Sequence, residues 1–149
     1  MSTLFCLRFL NLLPLGLLLG LISLNNASAQ TIVGRWKAYE KGAPSSIIEI
    51  YQTTAGLYHG RMVELFSADL VGQKCSNCSD DRRNQPYLRM DILRGLKASP
   101  DRKSAEGGKI LDPSNGKEYH CKIWVEGKQL RMRAYWGMLY GTRTWERVP

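Results

Sequence analysis

Cys75-Ser76-Asn77-Cys78 places two thiols three residues apart, a spacing that serves three chemistries. In an oxidising compartment the pair closes a local disulfide, the default for an exported chain. As a dithiol it could exchange electrons, provided the first Cys sat exposed at a helix N-terminus, where the dipole lowers its pKa. A charged stretch ending in Pro86 follows instead, with no amphipathic helix after the pair and no buried strand of thioredoxin type before it. As thiolates the two could supply half of a tetrahedral zinc site, with His59, His120 and Cys121 as the other candidates. His120 and Cys121 are consecutive on an expected strand and point to opposite faces, so at most one can join. Cys121 shares its face with Tyr119, Ile123 and Val125, which suits a buried, inert thiol.

Other constellations are thinner. Two histidines, His59 and His120, have no Ser or Cys motif beside them and do not make a triad. Asp112-Pro113-Ser114-Asn115-Gly116 holds a carboxylate and a hydroxyl, but turn chemistry accounts for every residue in it. Arg131, Arg133 and Arg143 fall on the last two expected strands. Lining a barrel they would make a polar pocket for an acidic ligand; facing outward they would make a solvated basic stripe, the arrangement favoured by the need of Leu130, Met132 and Trp136 for the interior. No nucleotide-binding fingerprint, cofactor motif or complete metal-ligand set is present, so no cofactor, no metal and no enzymatic activity are expected.

Those residues must be held by whatever the remaining sequence folds into. The chain has 149 residues with a net charge of +8, and 44% of them are apolar, which suits one globular domain. Residues 1–29 carry one charged residue, Arg8, then an apolar run broken by Pro14, and end in Ala27-Ser28-Ala29. That is the pattern of a secretory signal peptide cleaved after Ala29, with Cys6 inside the discarded part. All 13 acidic and 20 of the 21 basic residues therefore fall in 30–149, a net charge of +7. Lys and Arg are spread along the chain and not gathered into a run, which argues against nucleic acid and for anionic envelope surfaces or acidic small molecules.

Turn signals recur every eight to twelve residues after position 30, with alternating apolar residues between them. Strands are expected over 32–39, 46–52, 57–65, 108–111, 117–125, 129–136 and 141–148, in an all-β, antiparallel up-and-down barrel. Segment 66–107 breaks the rhythm. Leu88, Ile92, Leu93 and Leu96 stand at roughly helical spacing, so a long irregular loop or short helix lying over one barrel end is expected there.

Several landmarks in order carry a resemblance: Gly34-Arg35-Trp36, Leu57-Tyr58-His59-Gly60-Arg61, Asn84-Gln85-Pro86, Arg94-Gly95-Leu96-Lys97, Gly107-Gly108-Lys109-Ile110-Leu111-Asp112-Pro113, Gly116-Lys117-Glu118-Tyr119, Leu130-Arg131-Met132-Arg133 and Thr144-Trp145-Glu146-Arg147-Val148. Together they resemble the family known as domain of unknown function 2147, small exported bacterial proteins. The resemblance implies a lipocalin-like barrel and brings no established activity. It also implies a structural pair at the barrel base, the indole of Trp36 covered by the guanidinium of Arg147, with Arg143 as the other candidate. The sequence departs from the family pattern at Tyr140-Gly141-Thr142, where Gly-Arg-Thr is usual.

The expectation is thus an exported, periplasmic or secreted, single-domain barrel over 30–149, a non-catalytic binding or envelope-associated module with no stable membrane insertion after cleavage. A small acidic or apolar ligand, or an anionic envelope polymer, is its expected partner, and a small-molecule binder would need a cavity within the barrel. The alternative is a thiol-redox or zinc-dependent protein using Cys75 and Cys78.

Overall fold

Where apolar and polar residues alternate strictly, as in Tyr119-His120-Cys121-Lys122-Ile123, one face of the extended chain can be buried while the other stays wet. The computed structural model describes residues 30–149, and in it eight such strands pair in sequence order and close on themselves. They are β1 (Gly34–Glu40), β2 (Ala43–Gln52), β3 (Tyr58–Leu65), β4 (Asp91–Ala98), β5 (Ser104–Asp112), β6 (Lys117–Glu126), β7 (Gln129–Trp136) and β8 (Leu139–Arg147). All neighbours are antiparallel, which short hairpin connections permit without crossovers. The proposed signal peptide and Cys6 lie outside the described residues.

Closure is short. β1 meets β8 only at Trp36↔Arg147 and Lys37↔Glu146, so β8 from Leu139 to Trp145 has no ladder partner on its second edge among the described residues. The inward row includes Trp36 of β1, Ile48 and Ile50 of β2, Tyr58 and Met62 of β3, Ile123 of β6, Leu130 and Met132 of β7, and Trp145 of β8. Outward positions carry Lys37, Glu49, Arg61, Lys122 and Arg131, the reverse of a membrane-spanning barrel, whose lipid-facing side is apolar.

The expected helix or wholly irregular segment near residues 88–96 is corrected: residues 91–98 form β4, and no helix occurs among the described residues. Its pairing with β3 shifts on both sides of Gly60↔Leu93, and Gly95 takes φ 76°. Such bulges put Leu93 and Leu96, three residues apart, both into the core, which imitates helical spacing. Ile92, next to Leu93, is buried as well, under the β3–β4 connection. The interior makes room for these leucines with glycines: a Cβ at Gly60 would stand 2.8 Å from Leu93 Cδ1, and one at Gly108 would stand 2.8 Å from Leu96 Cγ. β5 also starts earlier than its expected 108–111, because polar residues at its beginning pair with β4 at Ala98↔Ala105 and Lys97↔Glu106.

The β3–β4 connection, residues 66–90, is irregular and meets the β5–β6 turn, where Cys75 Sγ lies 3.3 Å from the Pro113 carbonyl oxygen. It folds onto the outer side of β4, β5 and β6. Arg82 donates to the Asp91 carbonyl at 3.0 Å and to Glu118 at 2.5 Å, and Asn77 donates to the Ser114 carbonyl at 3.0 Å. Leu111, which pairs with outward-facing Glu118, is buried beneath it together with Cys75, Cys78 and Tyr87.

Candidate functional site

A small-molecule binder of this fold would use the barrel interior, and here the part nearest the base is filled. Trp36, Ile48, Ile50, Tyr58, Met62, Leu93, Leu96, Ile123, Leu130, Met132 and Trp145 retain no more than 4% of their surface each. An eight-stranded barrel is just wide enough for side chains to fill it or for one small ligand to fit, and at the base two tryptophans help to fill it. Toward the β7–β8 hairpin the inward row stays open to solvent: Trp136 is 47% and Leu139 66% exposed, and Arg143 is exposed as well. Two surface depressions lie on the outside, one at the β4–β5 turn beside Lys97, Ser104 and Gly107, the other between β4 and its preceding loop beside Arg82, Arg89 and Arg94.

One end of the barrel is closed by the segment before β1. Ile32 is fully buried there, its amide donates to the Arg102 carbonyl at 2.9 Å, and its own carbonyl accepts the Trp36 Nε1 proton at 2.8 Å. The Arg147 guanidinium lies 4.1 Å from the Trp36 ring centroid and donates to the carbonyls of Val33, at 3.2 Å, and Thr31. A planar cation covers an aromatic face while its edges satisfy carbonyls of the crossing segment, so the contact fastens the base and presents no reactive group. Burial pushes the pKa of Arg147 down from its ordinary value.

Arg131 and Arg133 point outward on β7. Arg131 is engaged by Glu126, at 2.6 Å, and by the Thr144 hydroxyl. Arg133 lies 4.2 Å from the Tyr140 ring centroid and 5.3 Å from that of Trp124, and donates to the Thr142 hydroxyl at 3.0 Å. Lys122 stands 5.3 Å from the same Trp124 ring. Lys122 and Arg133 are direct cross-strand partners; Glu106 stands opposite Lys122 on β5, but neither cation is within ion-pair distance of a carboxylate among the described residues. Like charges directly opposite each other destabilise a sheet, and an anion placed between them would relieve the repulsion. Arg143 is separate from this face. It pairs with Met132 on the inward row, at a level where β8 has no β1 partner, and its side chain reaches solvent.

Cys75 and Cys78 are bonded to each other and buried at the centre of the long loop. Cys75 Sγ lies 3.3 Å from the Pro113 carbonyl oxygen. A Cβ on Gly116, whose φ is 71°, would fall on the Asn77 carbonyl, so loop and β5–β6 turn meet backbone to backbone. A buried disulfide offers neither an exposed nucleophile nor free thiolates. Cys121 is a free thiol on the inner face, its pKa pushed up to about 12 by burial, and His120 points the other way. No cluster of three or more metal-ligating side chains occurs among the described residues. Closing so small a ring restricts the unfolded chain by only about 2 kcal/mol. Reduction is therefore expected to lower the melting temperature by several degrees and to expose the loop to protease, while far-UV circular dichroism still reports an intact barrel; loss of the strand signal on reduction would contradict this.

Two clusters escaped the sequence reading. On the outer face of β2, β3 and β4, Asp91 accepts from Tyr51 Oη and from Arg61 Nε, each at 2.9 Å, while Arg61 also donates to Tyr51 at 2.8 Å. His59 Nδ1 stands 3.8 Å from Asp91, beyond hydrogen-bond range, and no Ser or Cys completes a nucleophilic relay. Burial, and then the bond to Asp91, raise the pKa of Tyr51. The arrangement locks three strands together. The second cluster is Arg82 with Asp80 and Glu118. The first meets through strand register, and the second joins the neighbouring Asp80 and Arg82 of the loop to Glu118 on β6, so no local spacing signals either complete cluster.

A family described as uncharacterized protein conserved in bacteria, DUF2147, matches residues 34–147. Among solved structures, protein HP1028 from the human pathogen Helicobacter pylori, which belongs to the lipocalin family, aligns with a TM-score of 0.65 and 20% sequence identity, covering 78% of this chain and 82% of that one. At that identity the likeness concerns the fold. No curated protein sequence matches the chain.

Proposed function

The chain belongs to DUF2147, a family of uncharacterized bacterial proteins, and from that premise we propose that it is an exported, non-catalytic module that binds an anionic envelope polymer on the outer face of β6, β7 and β8. The observation that carries this reading is the placement of Lys122 and Arg133, opposed across the ladder, both against Trp124 and neither bound to a carboxylate. Aromatic rings flanked by cations that make no close ion pair suit a chain of sugar rings bearing carboxylates or phosphates: the rings stack, the cations take the charge. A binding role agrees with the lipocalin-like fold. Export is supported by the signal-like composition of residues 1–29 and by the disulfide, which belongs to oxidising compartments.

Binding of residues 30–149 to polygalacturonate and to purified peptidoglycan tests the proposal. Affinity is expected to fall steeply as salt rises, and Lys122→Ala with Arg133→Ala to weaken it by ~10-fold or more, since each desolvated cation–anion contact contributes about 1 kcal/mol. Binding that ignores salt, or that survives the double substitution unchanged, would remove the idea.

A further inference from the structure

The β7–β8 hairpin ends in a feature that a polymer-binding face does not need. Residues 134–142 contain no charge, and Arg133 and Arg143 bracket them. Within that run Trp136 is 47% exposed, Leu139 66%, Tyr140 57% and Met138 completely so. The hairpin turns on Gly137 and Met138 directly after the Trp136↔Leu139 pair, so these side chains are gathered at its tip. Trp136 is held in place: its ring meets Tyr119 edge to face at 5.9 Å and occupies the space that a side chain at Gly141 would take, 3.0 Å from where a Cβ would stand. Phe66 and Val71, also exposed, lie on the β3–β4 connection, which in an up-and-down barrel emerges at the same end.

We propose that this tip docks the protein on an anionic lipid bilayer, with Trp136, Met138, Leu139 and Tyr140 inserted at the interface and Arg133 and Arg143 meeting the lipid phosphates. The dimensions agree. Arg133 and Arg143 sit three and four residue pairs back from Trp136↔Leu139, ~10 and ~13 Å at the rise of a strand. Interfacial segments bury their apolar side ~5–10 Å deep, so the guanidinium groups reach headgroup level as the tip reaches the acyl boundary. Trp and Tyr are the residues that favour that boundary. Charge fits too: from Leu130 to Trp145 the hairpin carries three arginines and no carboxylate, which an anionic surface attracts. A second copy of the chain is a poorer occupant. Four tip side chains fall well short of the ~20–30 residues per side of a stable interface, and a two-fold contact would set the arginines against themselves.

Residues 30–149, which contain the whole closed barrel, should co-sediment with vesicles of mixed phosphatidylglycerol and phosphatidylcholine and much less with phosphatidylcholine alone. Their tryptophan emission should shift to the blue and be quenched by brominated lipid. Met138→Asp with Leu139→Asp, at positions exposed in the folded protein, should keep the melting temperature and polygalacturonate binding yet weaken vesicle binding by ~10-fold or more. Absence of vesicle binding, equal binding to pure phosphatidylcholine, or binding unaffected by the two aspartates would overturn the proposal. So would a change in sedimentation coefficient caused by the aspartates without vesicles, which would assign the tip to a second copy. Because the aspartates leave Lys122, Arg133 and Trp124 in place, failure here is distinguishable from failure of polymer binding.

Discussion

Trp36→Ala should destabilise the barrel by ~3–5 kcal/mol, seen as a fall in the urea midpoint at constant slope, because it removes the largest fully buried side chain and leaves a cavity at the closed end. Three attachments fail together. The indole no longer fills the base, the Ile32 carbonyl loses its donor, and Arg147 loses the ring it covers. Ile32 is tied to the β4–β5 turn through Arg102, so the loosened segment should also let the neighbouring end of the barrel fray. Trp36→Phe separates the contributions: it keeps a ring under Arg147 and deletes the Nε1 donor, and about 1–2 kcal/mol is expected for an unpaired buried carbonyl plus the smaller volume. Arg147→Lys keeps the charge but not the planar stack or the forked donation to Thr31 and Val33, so it should behave as a loss and not as a conservative change. If Trp36→Ala cost less than 1 kcal/mol, the base would not be part of the cooperative core.

What could be read from the sequence follows from where one face of a strand is buried and the other is wet. β6 and most of β7 were legible, because Cys121, Ile123, Leu130 and Met132 point inside while Lys122, Trp124, Arg131 and Arg133 stay outside; Trp136, expected in the interior, is 47% exposed instead. β4 was not, for two reasons that compound. Its bulges change the period, and the long loop buries its outer side, so Ile92 and Leu93 both become core. An apolar doublet and a three-residue step then look like a turn of helix. The loop itself carries a local signal, its cysteine pair, but nothing local says that it folds back on β5 and β6. That depends on Leu111, an apolar residue on an outward position, which is a weak mark beside Ile110 on the opposite face. The dense packing at the base was equally hidden, since volume is a sum over eight strands and the glycines that admit Leu93 and Leu96 look like ordinary turn residues.

Arg82 is the residue on which that folding back turns. Its side chain is 4% exposed, yet it lies on an irregular loop amid charged neighbours, where a solvated arginine would be the ordinary expectation. Nε donates to Asp80 Oδ2 at 2.9 Å, the terminal nitrogens reach Glu118 Oε1 at 2.5 Å and the Asp91 carbonyl at 3.0 Å, and so one guanidinium joins the loop to β4 and β6. Arg82→Met keeps the length and apolar contact of the side chain and deletes all of these bonds. Breaking a buried ion pair costs ~3–5 kcal/mol, but Asp80 and Glu118 are each about a third open to water, and solvent takes up part of their charge. About 2–3 kcal/mol at neutral pH is the expected loss, with early proteolysis in residues 66–90. The dependence on pH identifies the cause. The hydrogen bond from Arg82 is the main reason that the Asp80 pKa is lowered from 3.8 to about 2. A carboxyl depressed in the folded state stabilises above its unfolded value, and that contribution is lost as pH falls through the folded one. Wild type should therefore lose stability between pH ~4 and ~2, and Arg82→Met, whose Asp80 returns toward its ordinary value, should lose less over the same range. The gap between the two proteins in urea midpoint should narrow with acid. A gap that stays constant from neutral pH down to pH ~2 would mean that Arg82 acts through packing alone, and a gap below 0.5 kcal/mol throughout would mean that the loop is held by its disulfide and apolar contacts without it.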